Sequence, residues 1–321
     1  MSRRFVKELS DGETIDQVFL ASEKQLRTNR NGNLYLQLRL SDKTGSITAM
    51  LWNAHQKHFD CFDNGDFVKI KGTSQLYNGS MQVLAKQVDK SDGKGVDEAD
   101  FITLSNESVE KLVARVAEML RAMHNVHLRN LAECFLVDEA FMKGLRTAPA
   151  GVKNHHAYHG GLLEHIVSLM EVCQLVAPRY PDLDAELLLF GAFVHDIGKI
   201  RELTYSPDLG YSDAGQLIGH LVQGVSMLDE MIVETEKQSG EDFPQDLANQ
   251  LRHMIVSHHG QYEYGSPKLP MTLEAIALHF LDSLDARIHN VSQLIADDVN
   301  KESPWTVYHP GLGIKIYKGS S

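Results

Sequence analysis

His195-Asp196-Ile197-Gly198-Lys199 closes the apolar run Leu187-Leu188-Leu189-Phe190-Gly191-Ala192-Phe193-Val194. A stretch apolar on every side predicts a helix buried over most of its surface. An imidazole and a carboxylate side by side at its end are costly there unless something pairs with them. A capping Asp and a hydrogen-bonded His would answer that cost. So would a divalent cation, whose usual catalytic ligands are neutral imidazole and carboxylate. The neighbouring sequence favours the cation.

Of sixteen His, eleven lie between His155 and His289, and the first hundred residues hold only His55 and His58. His155 to His165 opens a helix whose apolar face is Ile166, Leu169, Met170, Cys173 and Val176, with His165 beside that face. Gly219-His220-Leu221 is expected within an apolar helix from Leu217 to Ile232. Met254-Ile255-Val256-Ser257-His258-His259-Gly260 closes another, and Asp282 lies in a long helix from Thr272 to about Asp298. Five helices thus each set a His or Asp on or beside an apolar face. Packing alone is a poor account of such a set, so a metal site is expected.

Before this region, Val109, Leu112, Val113, Val116 and Leu120 recur at helical spacing after a capping Ser105. Leu128 to Phe135 and Asp138 to Leu145 read as further helices, and the second domain is read as all-α. Residues 13 to 88 change period. Leu34-Tyr35-Leu36-Gln37-Leu38-Arg39-Leu40 alternates, with Leu on one side and Tyr, Gln and Arg on the other. Strands are expected at Gln17–Leu26, Leu34–Leu40, Ser46–Trp52, Phe67–Gly72 and Met81–Val88, with a hairpin turn at Tyr77-Asn78-Gly79-Ser80 and a short helix over Ala54–Cys61. Five strands with a helix between the third and fourth is the OB-fold order. A barrel that binds a single strand needs aromatic platforms and a basic track. Tyr35, Trp52, Phe67 and Tyr77 are the candidates, with Lys24, Arg27, Arg30, Arg39, Lys43, Lys69, Lys71 and Lys86.

The expected organisation is a small all-β OB-fold barrel over residues 1–90, a linker over 91–104, an α-helical domain over 105–300 and a tail over 301–321. A chain of 321 residues with 43% hydrophobic content holds two ordinary cores. No apolar stretch is expected to span a membrane, and the N-terminus lacks a secretory h-region. Cys61, Cys134 and Cys173 are widely spaced, as befits reduced thiols and a cytoplasmic setting. A net charge of −12 argues against a basic-coat nucleic-acid binder but leaves room for a local basic face.

The order His165, His195-Asp196, His220, His258, Asp282 resembles the HD superfamily of metal-dependent phosphohydrolases. The segments HHAYHGGLLEH, HDIGKI, GYSDAGQLIGHL, SHHG and HFLDSLDAR, with the tail SPWTVYHPGLGIKIY, resemble the YhaM-type 3′–5′ exoribonucleases, which join an OB-fold to an HD domain. The resemblance implies a divalent-metal-dependent exonuclease acting on single-stranded RNA, and on DNA as a further substrate. Manganese is the metal it favours, with Co²⁺, Fe²⁺ or Mg²⁺ as alternatives. It implies His165, His195, Asp196 and Asp282 as ligands of a first metal. His220 and His258 would hold a second, Asp196 would bridge, and His259 is the alternative to His258. Asp196 and Lys199 would be catalytic, Lys199 by reaching a phosphate oxygen. His159 would contact substrate alongside Lys199, and on the barrel Tyr35, Trp52, Lys69, Lys71 and Tyr77 would contact the strand. Asp285 or His279 would support Asp282. No membrane partner is expected, and self-association is allowed for. The competing readings are an HD-type nucleotide or cyclic-dinucleotide phosphohydrolase, and a non-catalytic binding module. Ile200-Arg201-Glu202-Leu203-Thr204-Tyr205 lacks the Gly-Tyr-Pro signature of the cyclic-di-GMP branch.

Overall fold

Alternation dictates the barrel. Leu36, Leu38 and Leu40 point inward and are fully buried, while Tyr35, Gln37 and Arg39 stand on the outer face. The computed structural model describes residues 3–29, 31–77, 80–92, 97, 100–101, 104–151, 158–205, 209–296, 298, 300 and 303–319. Arg30, the Asn78-Gly79 turn, most of the expected linker, His155 and His156 lie outside the described residues. The backbone groups into two compact units. One holds the barrel and the chain from Val291 onward, and the other holds the helices between Leu104 and Asn290.

In the first unit, β1 (Thr14–Thr28), β2 (Leu34–Asp42), β3 (Gly45–Trp52), β4 (Phe67–Tyr77) and β5 (Ser80–Lys90) close a barrel in the order β1-β2-β3-β5-β4. The β3–β5 pair is parallel and α1 (Gln56–Asp60) precedes β4. Phe19, Leu36, Leu38, Val68, Ile70 and Val83 fill the interior. Lys24, expected in a basic track, is instead structural. Its ammonium donates to the Phe59 and Phe62 carbonyls, reaches Asp63 and lies over the Phe59 ring, with the side chain 9% exposed. Phe67 packs edge-on against Phe101 rather than presenting its face.

The second unit contains α2 (Asn106–Arg121), α3 (Val126–Val137), α4 (Glu139–Thr147), α5 (Gly161–Val176), α6 (Ala185–Val194), α7 (Lys199–Glu202), a ribbon of β6 (Leu203–Tyr205) and β7 (Leu209–Tyr211), then α8 (Asp213–Ile218), α9 (His220–Ser239), α10 (Gln245–Ser257) and α11 (Leu273–Ala296). Side-chain caps start most of the early helices. Ser105, Asn125, Asp138 and Asp184 each accept from a backbone N–H of the first turn. In α6 every residue from Leu187 to Val194 is buried, as its composition requires. The stretch Gly161–Arg179 is long and apolar enough to cross a membrane by length and composition, a feature missed in the sequence. It is 56% buried, and its Leu162, Leu163, Ile166, Leu169 and Met170 belong to the core of this unit.

The single helix expected over Leu217–Ile232 is two. Gly219, at φ +79°, breaks the backbone, and α9 starts afresh at His220. The apolar run Leu217-Ile218 continues into Leu221-Val222 across the break, although Leu217 and Ile218 are exposed while α9 buries Leu221, Met227 and Leu228, so periodicity alone does not detect it. The Glu202 carboxylate accepts from the His220 N–H at 3.0 Å and caps the new helix.

Candidate metal centre and strand-binding face

His195, His220 and His258 stand at helix ends, His259 in the turn after α10, and His165 within α5. In each, one ring nitrogen meets a carbonyl or carboxylate and the other is left for the site. His195, capping the C-terminus of α6, donates Nδ1–H to the Ala192 carbonyl at 2.8 Å. His258, capping α10, donates Nδ1–H to Ile255 O at 2.8 Å, and His259 donates to Tyr264 O at 2.9 Å. Carbonyls only accept, so Nδ1 carries the proton in these three rings and Nε2 keeps its lone pair. His220 Nδ1 meets Glu202 Oε1 at 3.1 Å, and His165 Nδ1 meets Asp285 Oδ2 at 3.2 Å.

Four of these Nε2 atoms, those of His165, His195, His220 and His258, lie within 4 Å of Asp196. Its Oδ2 lies 3.3 Å from His195 Nε2 and 3.9 Å from His165 Nε2. Its Oδ1 lies 3.6 Å from His220 Nε2 and 3.5 Å from His258 Nε2. Asp282 Oδ1 sits 3.3 Å from His165 Nε2. The donors therefore fall into two groups, His165, His195 and Asp282 on one side and His220, His258 and His259 on the other, with Asp196 between them. Adjacent His258 and His259 both reach one group because α10 ends at Ser257. The turn that follows, with Gly260 at φ +77°, frees them from helical spacing.

These residues fit a cation. Asp196 Oδ1 and His220 Nε2 are buried polar atoms with no hydrogen-bond partner, an expensive arrangement in protein alone. His165 Nε2 and His195 Nε2 face each other at 3.2 Å, which leaves two lone pairs opposed unless a proton or a metal intervenes. Burial pushes the Asp196 carboxyl up, yet Lys199 and then His195 outweigh it and hold it well below the usual range. Burial pushes His258 down to about 4, so its imidazole is neutral at physiological pH. Ionised carboxylate and neutral imidazole are the forms that bind metal.

Lys199, predicted to reach a phosphate, places Nζ 2.6 Å from Asp196 Oδ2. His159 lies in the exposed turn before α5 and joins neither ligand group. Asp285 supports His165 rather than Asp282, and Ser168 in turn donates to Asp285 at 2.7 Å. His279 holds the His258 carbonyl at 2.8 Å, and Gly260 leaves room for its ring. Glu202 and Ser168 were missed in the sequence. The signal for Glu202 was a carboxylate one helical turn after Lys199, and its partner lies eighteen residues on. Glu202→Gln keeps the shape and removes the charge behind His220. It is expected to weaken metal binding roughly 10–100-fold, read by competition with a metallochromic chelator. Unchanged affinity would show that Glu202 only caps α9.

On the barrel, Tyr35 and Trp52 are cross-strand partners on β2 and β3, with ring centroids 5.0 Å apart and Trp52 47% exposed. Arg27 on β1 pairs with Tyr35 in the same row. Lys69, Lys71 and Tyr77 stand on β4, which β1 and β5 separate from β2 and β3. Lys69 is 3.4 Å from Asp16, and Tyr77 is exposed at the strand end. The aromatic pair and the two lysines therefore do not form one continuous track.

Residues 162–287 match the profile of the HD domain, and residues 21–90 match that of an OB-fold nucleic acid binding domain. The chain is 32% identical over 285 residues to the 3′-5′ exoribonuclease YhaM of Geobacillus sp. (strain WCH70), covering 88% of this chain and 86% of the relative. It is 32% identical to the YhaM of Bacillus subtilis (strain 168), over 88% of both chains, and 29% identical to that of Listeria monocytogenes, again over 88% of both. With both domains matched in order and relatives aligned over nearly their whole length, this chain belongs to the YhaM family of 3′-5′ exoribonucleases.

Proposed function

We propose that this protein is a metal-dependent 3′-5′ exonuclease of single-stranded RNA, the barrel binding the strand and the helical unit hydrolysing its terminal phosphodiester. The observation that carries the reading is Asp196, whose two oxygens each face a separate group of inward imidazoles. His165, His195, Asp196 and Asp282 would hold one divalent ion, and His220, His258 and His259 a second shared through Asp196. Bound divalent metal supplies a water of lowered pKa and charge for the attacking and leaving oxygens. The chain's own residues do the positioning. The Ala192, Ile255 and Tyr264 carbonyls, with Glu202 and Asp285, hold the five rings in one tautomer and orientation. Lys199 spends one N–H on Asp196 and keeps two for a phosphate oxygen of the substrate.

Five imidazoles with two carboxylates suit a first-row transition ion better than Mg²⁺, which prefers an all-oxygen shell, and manganese is the ion we propose. The three thiols are free, which supports a reducing, cytoplasmic setting. A gel time course on 5′-labelled single-stranded RNA and its DNA counterpart, with manganese and with chelator, tests the reading. The expected result is a ladder shortening from the 3′ end, faster on RNA and absent in chelator. Intact oligonucleotide in every lane, with mononucleotides turned over instead, would replace it with the nucleotide-phosphohydrolase reading.

A further inference from the structure

The chain has two tryptophans, and both stand exposed against a tyrosine. Trp52 lies on the barrel beside Tyr35. Trp305 lies in the C-terminal segment beside Tyr317, again with ring centroids 5.0 Å apart and with 47% of the residue exposed. Burying such rings is the ordinary outcome of folding, since each carries a large apolar area. Here a short antiparallel hairpin keeps them out. Trp305 and Tyr317 are bridge partners, Thr306 N donates to Ile316 O at 2.9 Å, and Lys318 N donates to Pro304 O at 2.7 Å. Alternation sends Thr306 to the buried side and leaves Trp305, Val307, Lys315 and Tyr317 together on the exposed one.

The hairpin is anchored, not a loose end. Asp298, 5% exposed, accepts from Lys318 Nζ at 2.5 Å and from Val307 N at 3.2 Å. Its charge is also unlike that of the chain. In a protein of net charge −12, residues 303–319 contain Lys315, Lys318 and His309 and no Asp or Glu. Lys318 is spent on Asp298, and Lys315 remains as an exposed cation on the face of the aromatic pair; stacking faces for bases with a cation for phosphates are what single-stranded nucleic acid requires. A protein interface is also rich in Trp and Tyr and poor in Asp and Glu, but it is poor in Lys as well, so the exposed Lys315 on the face of the aromatic pair is what favours the nucleic acid.

We propose that the C-terminal hairpin is a second base-stacking platform, on which Trp305 and Tyr317 take up bases of the single-stranded RNA and Lys315 meets the backbone. The hairpin belongs to the same compact unit as the barrel. The proposal rests on the exoribonuclease reading and extends it, since it assigns strand contacts outside the OB fold.

Single-tryptophan variants of the full-length, metal-loaded protein test it. Trp52→Phe leaves Trp305 as the reporter, and Trp305→Phe leaves Trp52. Each is titrated with a 20-nucleotide oligouridylate bearing phosphorothioate linkages that resist hydrolysis, with anisotropy of a labelled copy followed in parallel. Saturable quenching of Trp305, with the midpoint seen by anisotropy, is the expected result. Trp305→Ala/Tyr317→Ala should weaken binding about tenfold, near the lower end of the loss of one base–aromatic stack. Hydrolysis of bis(p-nitrophenyl) phosphate should be unchanged, and Trp305→Phe should recover most of the affinity. Quenching of Trp52 with no response from Trp305 would overturn the platform and leave the RNA-binding reading intact. Absence of any binding by anisotropy would sink both. Emission of Trp305 that follows protein concentration but not RNA would identify a contact between copies and also overturn the proposal.

Discussion

Asp196→Ala is expected to lower turnover by at least about 10³-fold, because the several kcal/mol a metal site contributes to the transition state converts at 1.36 kcal/mol per decade. Asp196 turns one carboxylate oxygen to each ligand group. Oδ2 faces His195 and His165, and Oδ1 faces His220 and His258. Removal of Asp196 would leave the two donor groups with no carboxylate between them. The same change leaves the largely buried Lys199 without its 2.6 Å partner, and breaking a buried pair costs up to about 3–5 kcal/mol. A lower melting temperature is therefore expected beside the loss of activity. Asp196→Asn separates the two effects, since it keeps volume and an oxygen to accept from Lys199 while losing the carboxylate charge that would hold the metals. RNA affinity measured by anisotropy should be retained in both variants, because the barrel holds the strand. Wild-type turnover in either one would remove Asp196 from the centre.

Gly198→Ala should be nearly as damaging, although it adds one methyl group to a residue that binds nothing. A Cβ at this position would lie 1.9 Å from the His220 carbonyl oxygen and 2.6 Å from Gly224 N. Both are backbone atoms of α9, and neither can swing aside. The first turn of α9 would have to move, and His220 and its bond to Glu202 would move with it. Overpacking of this kind typically costs about 1–3 kcal/mol, and at the upper end the midpoint falls by roughly 6–12 °C. Metal affinity should fall with it. Gly191→Ala is the control. There the added Cβ would meet Met254 Cε at 1.9 Å and Sδ at 2.7 Å, the end of a flexible side chain that can repack. Calorimetry that ranked Gly191→Ala as the more damaging would show that the contact between the turn at Gly198 and α9 is not what holds His220.

How far the sequence carried differs between parts of the molecule. The strands were legible to within a few residues because one barrel face is buried. Leu36, Leu38 and Leu40 mark period two without ambiguity, and β2 runs from Leu34 to Asp42. The helices with polar caps were legible too, as at Ser105 and Asp138. The break at Gly219 was not, because the apolar run crosses the junction in sequence while only α9 buries it; Leu217 and Ile218 of α8 stand exposed. Two cations expected in the basic track of the barrel already have acceptors or acids within the fold. Lys24 is spent on the Phe59 and Phe62 carbonyls, and Lys43 pairs with Asp100 at 2.9 Å. Charge in a sequence does not say whether a side chain is already paired.

By itself the sequence determined the fold class, the two-domain order and the chemical kind of the centre. Those depend on hydrophobic period and on residue type, which are local properties of the chain. The tertiary structure decided how that chemistry is arranged. It brought both His258 and His259 to one group, assigned Glu202 to His220, and set Asp285 against His165 across 120 residues of chain. Which nitrogen of an imidazole faces a metal is set by the partner that takes the other nitrogen. At His165 and His220 that partner is a carboxylate distant in sequence, brought into place only when the helices pack.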